Sequence, residues 1–228
     1  MERNDKDINI VSNRTSGENI MVVAKRKKGK ETQEKILRVA AELFALRGYD
    51  AVTMRNIAAA VKIKESSIYN HFDSKQAIRA ALFEQFSLKM NSSRILGGEF
   101  EGLLLLKDAE KILQHMIVRF GQSIDSTLDH IATIVFVERF RNKQAADLYY
   151  SLVIEEQVNY YTRVFQRLLD EGLLPAVNVD AKDMAKLYNN ILVTLANEYA
   201  MASNGMVEPS VVIKKMIDSV HFFVKQYK

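Results

Sequence analysis

Thr53-Met54-Arg55-Asn56-Ile57-Ala58 and, after a gap, Ile63-Lys64-Glu65-Ser66-Ser67-Ile68-Tyr69-Asn70-His71-Phe72-Asp73-Ser74-Lys75 form the stretch whose reading decides the fold. Thr53 has the hydroxyl that an N-cap needs to satisfy an orphan backbone N–H. Met54, Ile57, Ala58 and Val61 follow at helical spacing, and Lys62 and Ile63 read as a turn. Glu65 to His71 then predicts a second short helix. Ile68 and Phe72, four residues apart, point inward from it and the polar residues stay outside. Asp73 or Ser74 caps a further helix that runs to about Met90 and leans on the bundle through Ile78, Leu82 and Phe86.

Upstream, Ile36, Leu37, Ala40, Leu43 and Phe44 form one apolar stripe from Thr32 onward, and Gly48 after Arg47 is a natural helix stop. Residues 1 to about 20 have no apolar period and read as a flexible leader. Lys25-Arg26-Lys27-Lys28-Gly29-Lys30 reads as a basic arm, suited to a DNA backbone or minor groove and equally to a solubilising tail. Downstream, Asn91 to Gly98 breaks the pattern. Helical periods follow at about 107–124, 127–141, 143–171, 181–203 and 209–226, making about nine helices in all. Strand-like alternation is missing from the sequence, so the expected fold class is all-α. The expected division is a leader and arm over 1–29, a three-helix helix-turn-helix domain over 30–76, and a helical effector-binding and dimerisation domain over 77–228.

With 48% hydrophobic residues in 228, the chain can bury a sizeable core. No apolar run approaches the roughly 18 residues of a membrane span, and the first twenty residues lack a secretory signal, so no membrane partner is expected and the protein should stay in the cytoplasm. The absence of cysteine excludes disulfides, thiolate zinc sites and cysteine nucleophiles. The net charge of +4 is unevenly spread. Residues 21–90 hold 14 Lys or Arg against 7 Asp or Glu, whereas residues 91–228 hold 15 against 17. A basic excess confined to one segment is what a protein with one phosphate-facing end needs, although a merely solvated basic face has the same charge.

Two short helices joined by a tight turn can present the second to a major groove. Ile57, Ala58, Ile63, Ile68 and Phe72 would fix the angle between them. Ser66, Ser67, Tyr69, Asn70 and His71 are compact donors and acceptors for phosphate oxygens and base edges. Lys62 and Lys64, together with Arg55, are candidate DNA contacts.

The quoted string, with Ile36, Ala40, Ala41, Leu43, Phe44 and Gly48 upstream, resembles the tetracycline-repressor (TetR/AcrR) family over about residues 32–86. The resemblance implies that Thr53, Ser67, Tyr69, His71 and Lys75 lie on the phosphate side, with Lys64, Glu65, Ser66 and Asn70 nearer the bases. It further implies a homodimer on a palindromic operator in double-stranded DNA, with half-sites about 34–36 Å apart. The two last helices would pair with their copies, through Leu187, Ile191, Leu195, Tyr199, Ile213, Ile217, Val220 and Val224. An unknown small-molecule effector would shift the helix after the DNA-reading unit and release DNA.

Met116, Phe120, Phe136, Phe140, Tyr149, Tyr160, Tyr161 and Tyr188 are the candidates to line the effector pocket, although such aromatic side chains are more often simply packed. No cofactor and no metal are called for. An enzyme is disfavoured, because the sequence has no His-Glu-x-x-His run, phosphate loop or nucleophile elbow. The remaining alternative is a helical adaptor that offers its basic face to an acidic partner, which accounts for the charge but not for the motif.

Overall fold

In a computed structural model of the chain, the backbone is described for residues 6–175, 179–203 and 205–227, and side-chain surroundings for residues 27–175, 179–202 and 205–227. Every regular element among them is helical. The chain divides into two compact units, Met1–Arg79 and Ala80–Lys228.

The first unit contains α1 (Lys6–Arg47), α2 (Met54–Val61), α3 (Glu65–Ile68) and the start of α4 (Lys75–Ser92). The α1 helix starts well ahead of Thr32, where the apolar period begins, and crosses the stretch expected as leader and basic arm. Side chains through Arg26 lie outside the described residues. Gly48, at φ 80°, ends α1 and donates its N–H to the Phe44 carbonyl at 3.0 Å. Ile36, Leu37, Ala40, Ala41, Phe44, Ile57, Ala58, Ile68 and Phe72 are buried as the apolar spacing predicts, while Leu43 and Ile63 of the same expected set are half-buried. The Lys35 ammonium donates to the Val61 carbonyl at the end of α2, which ties the end of α2 to α1.

The second unit comprises the rest of α4, then α5 (Gly98–Leu104), α6 (Ala109–Ser123), α7 (Ser126–Glu138), α8 (Lys143–Tyr149), a π-helical turn (Tyr150–Glu155), α9 (Glu156–Asp170), α10 (Ala181–Ser203) and α11 (Pro209–Lys225). Asp108 caps α6 and Asp125 caps α7, each accepting backbone N–H bonds. Pro209 opens α11, where its missing N–H costs little. Gly172, at φ 65°, closes α9.

Two features depart from the nine-helix expectation. The α5 helix falls in a stretch whose three glycines suppress the helical signal, and burial of Phe100, Leu103 and Leu104 holds it. The single helix expected over 143–171 is interrupted by the π turn. There the Asn189 Nδ2 donates to the Val153 carbonyl at 3.1 Å, supplying a donor to a backbone of altered pitch.

Candidate nucleic-acid interface and helical cavity

The α2–α3 unit is built from its caps. The Thr53 hydroxyl accepts from the Asn56 backbone N–H at 3.1 Å and donates to the Asn56 Oδ1 at 2.8 Å; the same Oδ1 accepts from the Thr53 N–H at 2.9 Å. This reciprocal box fixes where α2 begins. At its other end Lys62 adopts the left-handed conformation, φ 65° and ψ 44°, which lets its N–H reach back to α2 and turns the chain toward α3. Lys64 then occupies the N-cap of α3 without a side-chain cap bond. The α-helical part of α3 is only four residues long. The expected turns to His71 are completed by tighter bonds, Asn70 N–H to the Ser67 carbonyl and His71 N–H to the Ile68 carbonyl. The shortening leaves Ile68 and Phe72 buried, as the spacing predicts.

Around that small core the expected contact residues are distributed unevenly. Arg55, Lys62, Lys64, Glu65, Ser66, Tyr69 and Asn70 are exposed, with Tyr69 at 47% despite its ring, while Ser67 and His71 are half-buried. A large aromatic left in solvent beside serines, an asparagine and lysines makes a face with stacking area, hydrogen-bonding groups and positive charge, which suits a nucleic-acid backbone and base edges.

Two residues expected on the phosphate side are engaged elsewhere. The Thr53 hydroxyl is committed to its cap. The Lys75 Nζ is drawn inward, donating to the Tyr49 carbonyl at 2.8 Å and standing over the Tyr49 ring. Its charge is held against an aromatic face that also carries Arg79, so it serves the packing of the unit.

The second unit encloses a cavity of about 440 Å³ between α4, α6, α7, the π turn, α9, α10 and α11. Of the eight expected lining residues, Phe120, Phe136 and Tyr161 line it. The other five do not, for separate reasons. Met116 is packed in the core beside Ile112 and Leu113. The Tyr160 hydroxyl is bonded to the Ile95 backbone, donating to its carbonyl and accepting from its N–H, and burial pushes it up to about 12. Tyr188 is fully buried edge-on to Tyr161 and Phe165. Tyr149 and Phe140 hold the Arg139 guanidinium, at 4.7 and 4.3 Å from their ring centres, and Phe140 is otherwise 78% exposed. Position around a helix or in the loop after it, not residue type, decides which of these aromatics reaches the cavity.

The stripe on α10 and α11 expected to face a second copy is similarly divided. Leu195, Val220 and Val224 are buried within the chain, and Ile191 packs against the core. Tyr199, Ile213 and Ile217 line the cavity. Leu187 and Ile213 are exposed, and the apolar side chains that accompany them in solvent on these helices include Met201, Val211 and Phe222, which fall outside the expected set. A broad apolar stripe on a helix can serve intramolecular packing on one edge and solvent on the other, and the sequence does not mark the border.

The sequence reading also missed lining residues, chief among them Asp129 and Asn189. Asp129 stands three residues before Ala132 and seven before Phe136, within the cavity-facing stripe of α7, so an acid interrupting an apolar period was the available signal. Among the described residues, no three His, Asp or Glu side chains converge on a possible metal position. No described helix is long and apolar enough to cross a membrane.

One described unit thus carries a helix-turn-helix with an exposed second helix, and the other is helical with an apolar cavity. Residues 36–82 match the family model for bacterial regulatory proteins of the tetR family. The match places this segment, residues 36–82, with the DNA-binding part of that family.

Among curated relatives, the chain is 23% identical over 167 residues to the uncharacterized HTH-type transcriptional regulator YerO of Bacillus subtilis, covering 72% of this chain and 56% of YerO. It is 48% identical over 46 residues to IcaR of Staphylococcus aureus, the negative transcriptional regulator of the biofilm operon icaADBC, covering 20% of this chain and 25% of IcaR. The chain therefore matches little more than half the length of the first relative and a quarter of the second. Among solved structures, the SmeT–triclosan complex superimposes with a TM-score of 0.63 at 17% identity, over 86% of this chain and 91% of SmeT, a likeness of fold.

Proposed function

We propose that this protein is a sequence-specific DNA-binding transcriptional regulator, a repressor that leaves its operator when a small molecule enters the cavity of the second unit. The observation that carries this reading is the solvent-facing set Lys64, Ser66, Tyr69 and Asn70, mounted on a buried Ile68 that orients it. The residues near 30–76 read the DNA, and those beyond bind the effector and join two copies on a palindromic site. Arg55, Lys62 and Tyr69 hold the backbone; Lys64, Glu65, Ser66 and Asn70 address base edges from the major groove. Ser67 and His71 support the backbone contacts.

The sign of regulation draws support from IcaR, whose name makes it a negative regulator. Ligand control draws support from a cavity large enough for a drug-sized molecule and from the triclosan complex of SmeT, which shares the fold. The α4 helix starts at Lys75 and carries Phe86 and Met90 to the cavity wall, so a ligand that moves those side chains acts on the helix following the recognition element. Release requires that the ligand bind the DNA-free arrangement more tightly than the DNA-bound one.

A gel-shift titration with DNA from upstream of the protein's own gene tests the reading. A complex that survives excess unrelated DNA at physiological salt is expected. Binding that disappears under competitor, or that matches binding to unrelated DNA, would reverse it and favour the adaptor alternative.

A further inference from the structure

We infer that the cavity of the second unit takes a lipophilic monocation, an amine or quaternary ammonium on an apolar body, with Asp129 as its counter-ion. The inference rests on the proposed reading of that cavity as the effector site and adds the ligand's chemistry to it.

The chemistry follows from what lines the wall. Most of the lining is hydrocarbon or aromatic, and among the described residues that form it Asp129 is the one charged side chain, with no Lys, Arg or His beside it in the wall. Among the described residues Asp129 forms no ion pair. The neutral polar groups add acceptors beside it. Asn189 gives one Nδ2 hydrogen to the Val153 carbonyl and keeps its Oδ1 as an acceptor. Gln157, also in the wall, carries a buried Oε1 with no hydrogen-bond donor among the described residues. A lone carboxylate with amide acceptors beside it in a largely apolar wall offers a cation its counter-charge and repels an anion. The volume, about 440 Å³, admits a body of drug size, and Phe120, Phe136 and Tyr161 supply ring faces for a cation or its apolar tail.

Independent support comes from the acid's own ionisation. Burial holds the Asp129 carboxyl above its ordinary value, a shift that His130 opposes and Asp125 reinforces; neither of these lines the cavity. The charge of Asp129 in turn helps raise the Tyr199 hydroxyl, which places the two lining groups within electrostatic reach of each other. A cation entering beside Asp129 relieves this unfavourable burial, whereas an anion aggravates it.

The test is a charge ladder on one scaffold. Decyltrimethylammonium, decanol and decanoate, kept below their micellar concentrations, are titrated calorimetrically into the full chain and into Asp129→Asn. In the native protein the cation binds on the order of tenfold or more tighter than either companion, and the substitution lowers cation affinity by on the order of tenfold while leaving decanol within about twofold. Equal or tighter binding of decanol or decanoate, no binding of any of the three, or cation affinity unchanged in Asp129→Asn overturns the inference. The ladder on the native chain decides the matter even if the variant does not fold. Gel shifts on the same samples separate the two layers. Operator release by a neutral or anionic amphiphile removes the cation inference and leaves the regulator reading intact; failure to bind operator at any ligand concentration removes the regulator reading, and the calorimetry still judges the ligand's charge.

Discussion

The Lys75 Nζ donates to the Tyr49 carbonyl oxygen at 2.8 Å and stands 4.2 Å from the centre of the same residue's ring, so one lysine joins the start of α4 to the loop after α1. A lysine in the first turn of a helix opposes the helix dipole, and an acceptor with an aromatic face compensates it here without any phosphate. Lys75→Ala is therefore expected to lower stability by about 1 kcal/mol while leaving the salt dependence of DNA affinity unchanged. Replacing exposed Lys62 and Lys64 together by Ala should do the reverse, flattening the log–log salt slope by up to about 0.9 per lysine with little loss of stability. Denaturant melts and affinities at several salt concentrations check both halves.

Lys62 offers a second prediction. Its φ of 65° is a conformation that glycine adopts without strain, so Lys62→Gly should stabilise the isolated protein by up to about 1 kcal/mol. The same change removes a cation from the proposed DNA face, and affinity should fall as stability rises. Urea unfolding beside DNA titration of one variant tests the trade.

Tyr188 is wholly buried and its hydroxyl has no hydrogen-bond partner among the described residues, whereas its ring packs on Tyr161, Phe165 and Phe223. Tyr188→Phe keeps the rings and deletes the unmatched polar atom. Stability should be unchanged or higher by up to about 1 kcal/mol. A loss larger than that in thermal or urea unfolding would show that the hydroxyl is satisfied in solution.

Asp129 gives a pH dependence of defined sign. Because burial holds its folded-state value above the ordinary 3.8, the folded protein binds this proton more readily than the unfolded chain does. Its contribution to stability therefore falls as pH rises from below the ordinary value through the raised one, and the cost is present in full at neutral pH. Asp129→Asn should be more stable than the native protein at pH 7, with the difference shrinking toward zero as the pH drops below 4. Melting temperatures across that range report it. A gap that is constant with pH would contradict the burial of the ionised group.

Legibility in the sequence followed the range of the interactions involved. Thr53, Gly48, Ile68 and Phe72 act through neighbours within a few residues, so their caps, stops and spacing could be read directly, and with them the all-α class and the helix-turn-helix. Lys75 resisted reading because its partner, Tyr49, is 26 positions away and a lysine near a recognition element looks like a phosphate ligand. The cavity was legible only in part, since Phe120 and Phe136 share their residue type with Phe140, and only the rotation of α7 and the loop after it decides which ring faces inward. The α5 helix and the π turn depend on burial and on Asn189, which no local period announces.

The claim beneath all of this is that the exposed face of α3 reads DNA sequence. Selection of the full chain against random duplex DNA, followed by the same selection with Asn70→Ala and Ser66→Ala, tests it most directly. The account predicts an enriched palindrome, with each substitution relaxing preference at particular base pairs by about 1–3 kcal/mol while melting temperature stays unchanged. Enrichment no better than random, or an enriched site indifferent to both substitutions, would contradict it.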